Sequence, residues 1–409
     1  MDKMDSRTQY MDFYQKAGEM ISARSCSVMN EAREAALAVF SEAGFPSRKV
    51  EEYRYTDVAA DFAPDYGISL LPLQGGNLPQ YCHRISESPA EVSAYYNRIA
   101  DASDPVTALN TMLAVDTLVI HVPAGTRVEH PIQVSNVLKG EHDTMVNRRL
   151  LIVMGNGAEA DVIVTDKAVD QRRFLSNQVV EVIAGEGAHL SLYEVEETHL
   201  LCTRYSSVFI RQERDSVVRH TGITLFNGHT RNRLVAVLAG EGSEAMLGGC
   251  VIADKSQHVD NNTLIDHRVP CCQSHELYKY VLDDTSVGAF AGKVLVREGA
   301  QKTVSTETNA NLCATGTARM YSQPMLEIYA DDVKCSHGST VGQMDEAALF
   351  YMRQRGIDEA EARLLLKSAF ITEVIDSIPL APLRDRLSIL VDRRLRGELS
   401  KCEGCSLCR

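Results

Sequence analysis

A cysteine and a histidine lie two residues apart in a strand-like segment, at Cys335 and His337. In a β-strand this spacing points both side chains to the same face. Thiolate and neutral imidazole are both competent iron ligands. Two ligands do not make a metal site, and an isolated pair is more often a buried cysteine and a hydrogen-bonded core histidine. A functional site would need further ligands, which a subunit interface could supply.

Three further cysteines lie near the C-terminus, at Cys402, Cys405 and Cys408. Their spacing is similar to part of a ferredoxin-like cysteine run, but a fourth ligand and the following proline are absent. Three thiols without a scaffold make an incomplete site. The sequence leaves three interpretations open: an iron or zinc site, an acceptor of persulfide sulfur, or an unstructured tail.

The densest group of ligand-type side chains lies between residues 258 and 275. Its spacing matches no standard metal-binding motif, so stacked polar side chains explain it better than a metal site does. The group consists of His258, Asp266, His267, Cys271, Cys272 and His275.

A glycine-rich segment runs from Gly288 to Lys293 and superficially looks like a phosphate-binding loop. Such a loop needs four residues between its glycines and Ser or Thr after the lysine. Here three residues separate Gly288 from Gly292, and Val294 follows the lysine. We therefore expect no ATP on this chain, so that any ATP dependence would come from a partner.

Composition excludes several classes of function. The 409 residues carry a formal charge of -13, which would repel nucleic acid and anionic membranes. No apolar stretch is long enough to span a bilayer, and the first residues do not resemble a signal peptide. Eleven irregularly spaced cysteines predict a reduced protein of the cytoplasm rather than a disulfide framework.

From Thr117 onward the hydrophobic pattern has a period of two, which is typical of strands. Several strand-like runs end in turns whose last glycines are Gly157, Gly187, Gly242 and Gly299. These glycines are 30 (187 minus 157), 55 (242 minus 187) and 57 (299 minus 242) residues apart. The longer gaps are about twice the first, so a unit of roughly 28 to 30 residues repeats. Short strands with recurring turns fit a β-helix or a sandwich, and the repeat favours the β-helix.

Helical periodicity flanks the strands. One amphipathic run ends at Gly44, and a short helix is predicted from Ala90 to Ile99. Near the C-terminus one helix should end at Gly356 and the next should be capped by Asp358. A helical domain at the end of a solenoid serves as a cap or as a docking site for a partner.

These patterns predict a mainly β protein of four parts. The parts are an N-terminal mostly helical domain (1–110), a β-helix core (111–343), a C-terminal helical domain (344–399) and a cysteine-bearing tail (400–409).

The stretch from about 257 to 345 resembles the SufB/SufD family of iron–sulfur cluster assembly proteins, and within it the SufD type. The matching residues form a long set in one register, whereas the N-terminal half matches weakly. They include Gln257-His-Val-Asp260, Ser274-His-Glu-Leu-Tyr-Lys279, Ala300-Gln-Lys-Thr303, Asn309-Ala-Asn-Leu312, Pro324-Met-Leu-Glu-Ile328, Ala330-Asp-Asp-Val-Lys-Cys-Ser-His-Gly338 and Thr340-Val-Gly-Gln343.

The resemblance implies a right-handed parallel β-helix flanked by helical domains. It implies a scaffold subunit rather than an enzyme, which pairs with the paralogue SufB, or with itself when alone, and docks the ATPase SufC on its C-terminal helices. A nascent iron–sulfur cluster would form at the SufB interface, with His337 among the functional residues and Cys335 as a second candidate ligand. Flavin involvement stays open.

Three alternatives remain. The chain could be a SufB-like paralogue that carries the main acceptor cysteine. It could be a β-helical carbohydrate-active protein, which would bind sugar in a groove with paired carboxylates and aromatic residues. It could also be purely structural, with no cluster ligand on this chain.

Overall fold

The computed structural model describes residues 6–70 and 78–398. The helices are α1 (Ser6–Ala23), α2 (Ser27–Ala43), α3 (Val58–Phe62), α4 (Ala90–Ser93), α5 (Pro105–Leu113), α6 (Glu346–Gln354), α7 (Glu359–Asp376) and α8 (Ala381–Leu395), with 3₁₀ turns at Glu51–Tyr53 and Ile85–Glu87. The strands are β1 (Gly67–Ser69), β2 (Cys82–Arg84), β3 (Leu118–Val122), β4 (Ile132–Leu138), β5 (Thr144–Met154), β6 (Glu159–Ala168), β7 (Phe174–Ala184), β8 (His189–Glu197), β9 (Cys202–Gln212), β10 (Val217–Phe226), β11 (His229–Leu238), β12 (Glu244–Ala253), β13 (His258–His267), β14 (Gln273–Leu282), β15 (Val287–Val296), β16 (Val304–Cys313), β17 (Arg319–Ile328) and β18 (Lys334–Gln343).

The strands form a parallel β-solenoid, as the repeat predicts. From β3 onward the strands alternate between two sheets, so each coil contributes one strand to each. The first sheet runs in the order β3, β5, β7 and so on to β17, and the second runs from β4 to β18. The described pairings are parallel except that between β2 and β3.

One turn per coil requires a residue in the left-handed region, and this turn sets the repeat. Gly125, Gly157, Gly187 and Gly242 hold this position with φ between 62° and 76°. Asp215, Cys271 and Lys302 hold it between β9 and β10, between β13 and β14 and between β15 and β16, with φ of 53°, 62° and 60°. Asp215 lies inside the first long gap between glycines and Cys271 inside the second, which explains why those gaps are double. Gly299 is not the left-handed residue of its turn, because Lys302 is.

The N-terminal helices pack against the outer face of the first sheet. Their apolar side chains, such as Phe40 and Leu109, form one cluster with Met145, Leu175 and Tyr205 of β5, β7 and β9. This burial is what holds the amphipathic faces of α1, α2 and α5 in place.

The predicted helix from Ala90 to Ile99 is wrong in extent, because α4 ends at Ser93. Asn97 has a φ of 56°, which a continuous α-helix does not allow. The backbone N–H groups of Asn97, Ile99 and Ala100 instead donate to the buried carboxylate of Glu181 on β7. A side chain from the solenoid therefore satisfies backbone groups that helical bonds would otherwise use.

The C-terminal helices cover the outer face of the second sheet. Ile371 and Val374 of α7 and Leu390 of α8 pack on Ile223 and Ile252 of β10 and β12. The predicted cap is confirmed, since the Asp358 carboxylate accepts the N–H groups of Ala360 and Glu361. Gly356 follows α6 with a φ of 85°, as expected for a residue after a helix end.

None of the described helices is long and apolar enough to cross a membrane.

Candidate functional site at the open end of the solenoid

Cys335 and His337 lie on β18, the last strand of the second sheet. In the parallel register Cys335 is opposite Ser305 and His337 is opposite Glu307 on β16. Ser305 and Glu307 are buried inside the solenoid, so Cys335 and His337 share the inner face of the last coil. The predicted common face is therefore present.

The two side chains have different environments. Cys335 is half-buried against the solenoid core, and this burial raises the pKa of its thiol. A raised pKa disfavours the thiolate, which is the form that binds iron. His337 is exposed. On the same face Ser339 shares a hydrogen bond of 2.6 Å with Ser322 of β17, so the two sheets meet at this end.

Two glutamates occupy the register positions of His337 on the two preceding strands of the second sheet. Glu276 on β14 is opposite Glu307 on β16, which in turn is opposite His337. Glu276 is 3% exposed and Glu307 is 1% exposed. All four of their carboxylate oxygens are buried without a hydrogen-bond partner among the described residues. Burial raises the pKa of both groups, and the neighbouring Glu307 raises the pKa of Glu276 further.

Glu194, another interior carboxylate, has cationic partners. Glu194 on β8 accepts from Arg204 at 2.8 Å and lies 2.9 Å from the Nε2 atom of His220. Burial alone would raise the pKa of Glu194, but Arg204 and His220 lower it to about 2. The unpaired carboxyls of Glu276 and Glu307 therefore differ from the network deeper in the solenoid.

The ligand-type group of residues 258–275 does not converge. The His267 Nε2 atom lies 2.9 Å from the Ser274 hydroxyl, Cys272 is part of the apolar core, and His275 is exposed beside Thr306. Within residues 6–70 and 78–398 no three His, Cys, Asp or Glu side chains are grouped to hold a metal ion. The expectation of stacked polar side chains agrees with these contacts.

Two other sequence features are the glycine-rich segment and the tail cysteines. The segment from Gly288 to Lys293 belongs to strand β15, and its backbone pairs with β13 and β17 rather than forming a loop. Cys402, Cys405 and Cys408 lie outside the described residues.

Glu276 and Glu307 are functional candidates that were not predicted from the sequence. The usable signal was their separation of 31 residues (307 minus 276), which equals about one coil. The two residues also follow the inward parity of their strands, because Ser274 and Tyr278 flank Glu276 on the buried face.

Comparison with known proteins decides the family. A family model described as "SUF system FeS cluster assembly, SufBD core domain" matches residues 136–370, which is more than half of the chain. A second model, "SufBD protein N-terminal region", matches residues 4–80 and 78–134. The chain belongs to the SufBD family.

Curated relatives agree with the SufBD assignment. An iron–sulfur cluster assembly SufBD family protein of Synechocystis is 27% identical over 93% of this chain and 94% of its own length. The protein named SufD in Escherichia coli is 26% identical over 87% of this chain and 90% of its own length. The protein named SufD in Bacillus subtilis is 24% identical over 71% of this chain and 67% of its own length.

Membership of the SufBD family supports a scaffold subunit of iron–sulfur cluster assembly. It gives no support to the carbohydrate-active alternative. This alternative needs a carboxylate pair in a surface groove. The pair of Glu276 and Glu307 is buried inside the solenoid.

Proposed function

We propose that this chain is the SufD-type subunit of a SUF assembly complex, in which clusters form where the open end of the solenoid meets a SufB-type paralogue. The observation that supports this proposal most directly is that His337 is exposed on a terminal strand, on the inner face of the last coil. The SufD type is preferred over the SufB type because relatives in two bacteria bear the name SufD.

The partner would pair with the last coil. β17 and β18 are the terminal strands of the two sheets, so each has one strand edge without a neighbour in the described chain. Unpaired strand edges are natural sites for strand addition by another protein. Tyr329 and Val341 are 63% and 55% exposed beside this edge and would be covered by the paralogue, or by a second copy when the chain is alone.

The two inner-face residues have unequal roles in this proposal. His337 would bind iron of the nascent cluster, because its imidazole is exposed and has no hydrogen-bond partner among the described residues. Cys335 would be a secondary ligand, because burial raises its pKa. The cluster is the cargo of the complex and needs further ligands from the paralogue. The tail cysteines Cys402, Cys405 and Cys408 stay a separate hypothesis.

ATP hydrolysis would belong to a SufC-type partner that docks on the C-terminal helices. Phe350 and Tyr351 of α6 are 63% and 59% exposed, which gives an apolar and aromatic contact surface. We propose the division into a helical domain (1–110), a solenoid core (111–343) and a docking domain (344–399), and a cytoplasmic location. The charge of -13 argues against nucleic acid as a partner.

The test is anaerobic reconstitution of the complex with its candidate SufB- and SufC-type partners, followed by iron and sulfide assay. His337→Ala should leave the complex assembled and lower the cluster yield. The matched control is His275→Ala, because His275 is exposed on β14 and lies on the outer face. Equal cluster yields from the His337 and His275 variants would contradict the proposal.

A further inference from the structure

Glu276, Glu307 and His337 occupy one column on the inner face of the second sheet. Each residue is in direct parallel register with the next, so their side chains stack coil on coil. Neighbouring strands lie about 4.8 Å apart, which lets the carboxyls of adjacent coils approach one another. The column ends at His337 on the open coil.

No cationic side chain among the described residues pairs with either of the two carboxyls. Neither carboxyl has an ion-pair or hydrogen-bond partner within residues 6–70 and 78–398, although both side chains are almost fully buried. A buried carboxylate is costly unless a cation, a hydrogen bond or a proton offsets its charge. Arg204 and His220 serve this purpose for Glu194, but no cation of the described residues pairs with Glu276 or Glu307.

The opposite sheet leaves room for the carboxyls and adds an oxygen donor. A Cβ atom on Gly292 of β15 would lie 2.3 Å from the Oε1 atom of Glu307, so the glycine makes space for that group. Thr263 of β13 is 2% exposed, and its hydroxyl oxygen has no hydrogen-bond partner in good geometry. This hydroxyl is nevertheless close enough to the Glu276 carboxyl to favour the charged form.

We propose that Glu276, Glu307 and the Thr263 hydroxyl form a binding site for one divalent cation that favours oxygen ligands. The site lies inside the solenoid, in the two coils that precede the coil of His337. Oxygen donors with two negative charges match such a cation in both hardness and charge. The assignment of the cation as ferrous iron rests on the proposed function. The site would then hold iron behind the residue at which the cluster forms.

The competing explanation is a carboxyl pair that only retains protons. Metal binding by the full-length chain separates the two. The tail thiols are first removed by the substitutions Cys402→Ser, Cys405→Ser and Cys408→Ser, so that metal bound by the tail is not counted. Equilibrium dialysis under anaerobic conditions then uses Fe²⁺ alone, and Mn²⁺ alone as a redox-stable probe, with bound metal counted per chain.

The expected result is one bound cation per chain, with affinity reduced at least about tenfold by Glu276→Gln and by Glu307→Gln. Glu196→Gln is the matched control, because Glu196 is a buried interior carboxylate that accepts from Thr230 on β11. This control should bind the cation as the parent does. Thr263→Val, which removes the hydroxyl, should also weaken binding and serves if a glutamine variant does not fold.

A parent chain that binds neither ion would overturn the proposal, and so would glutamine variants that bind as tightly as the parent. The measurement needs no partner subunit. Cation binding by the isolated chain can therefore be absent while the complex still assembles clusters. It can also be present while the complex assembles none.

Discussion

The paired carboxyls of Glu276 and Glu307 should make the stability of the chain fall as pH rises. Burial raises both pKa values above the 4.5 of an ordinary glutamate, and mutual repulsion adds to the shift at Glu276. The folded chain therefore keeps protons that the unfolded chain releases. This contribution to stability is fully present below about pH 4.5 and is lost as pH rises toward the folded pKa values.

The size of the effect follows from proton linkage. Each proton that only the folded chain retains changes the free energy of unfolding by about 1.4 kcal/mol per pH unit. Between about pH 5.5 and about pH 7.0 this amounts to about 2 kcal/mol for one proton and about 4 kcal/mol for two. The double variant Glu276→Gln with Glu307→Gln has no carboxyl group at either position. Its free energy of unfolding should therefore fall by about 2 to about 4 kcal/mol less than that of wild type over the same pH range.

The assay is urea unfolding at several pH values in the presence of a chelator, with wild type and double variant compared at each pH. Glu298→Gln is the control, because Glu298 is exposed in the turn after β15 and should give a curve parallel to that of wild type. Other buried groups titrate in both proteins, such as Glu196 with its pKa raised to about 7, so the difference between proteins is the informative quantity. A double variant whose pH curve runs parallel to that of wild type would refute the reasoning.

Three further predictions concern surfaces and turns. Val341→Asp on the last coil should weaken binding of the SufB-type partner at least about tenfold in a pull-down titration, since it places a charge in the interface. Val137 is 50% exposed on β4 at the other end of the same sheet, so Val137→Asp should leave this binding unchanged. Equal loss of binding in both variants would argue against the open-end interface. Phe350→Asp should abolish co-purification of the SufC-type ATPase while the SufB-type partner stays bound, and retention of the ATPase would place its dock elsewhere. Gly240→Ala should lower the free energy of unfolding by at least about 2 kcal/mol, because its Cβ would lie 1.9 Å from a backbone nitrogen of the neighbouring coil. Gly338→Ala, with no atom within 4 Å of the added Cβ, should change it by less than about 0.5 kcal/mol, and similar values for the two variants would contradict this account of the turn.

The solenoid could be predicted from the sequence because glycine recurs at one turn of the coil. Gly157, Gly187 and Gly242 revealed the period, whereas Asp215 and Cys271 occupy the same turn without being recognisable there. A non-glycine residue in the left-handed region depends on the tertiary fold, which local sequence does not show. The doubled gaps were therefore the only trace of the intervening coils.

The candidate site was predictable only in part. The i, i+2 spacing predicted that Cys335 and His337 share a face, because that follows from strand geometry alone. The position of Glu276 and Glu307 beneath His337 depends on the register between three strands from successive coils. Register is set by the whole stack, so no local pattern contains it. The short extent of α4 likewise depends on Glu181, a residue more than eighty positions away.

In the proposed function, the open coil takes part in cluster formation through His337. The most direct test is the iron and sulfide content of the anaerobically reconstituted complex with wild-type chain, His337→Ala and the His275→Ala control. All three complexes should assemble, and only His337→Ala should lose cluster. A His337→Ala complex that assembles and carries as much cluster as the other two would contradict it.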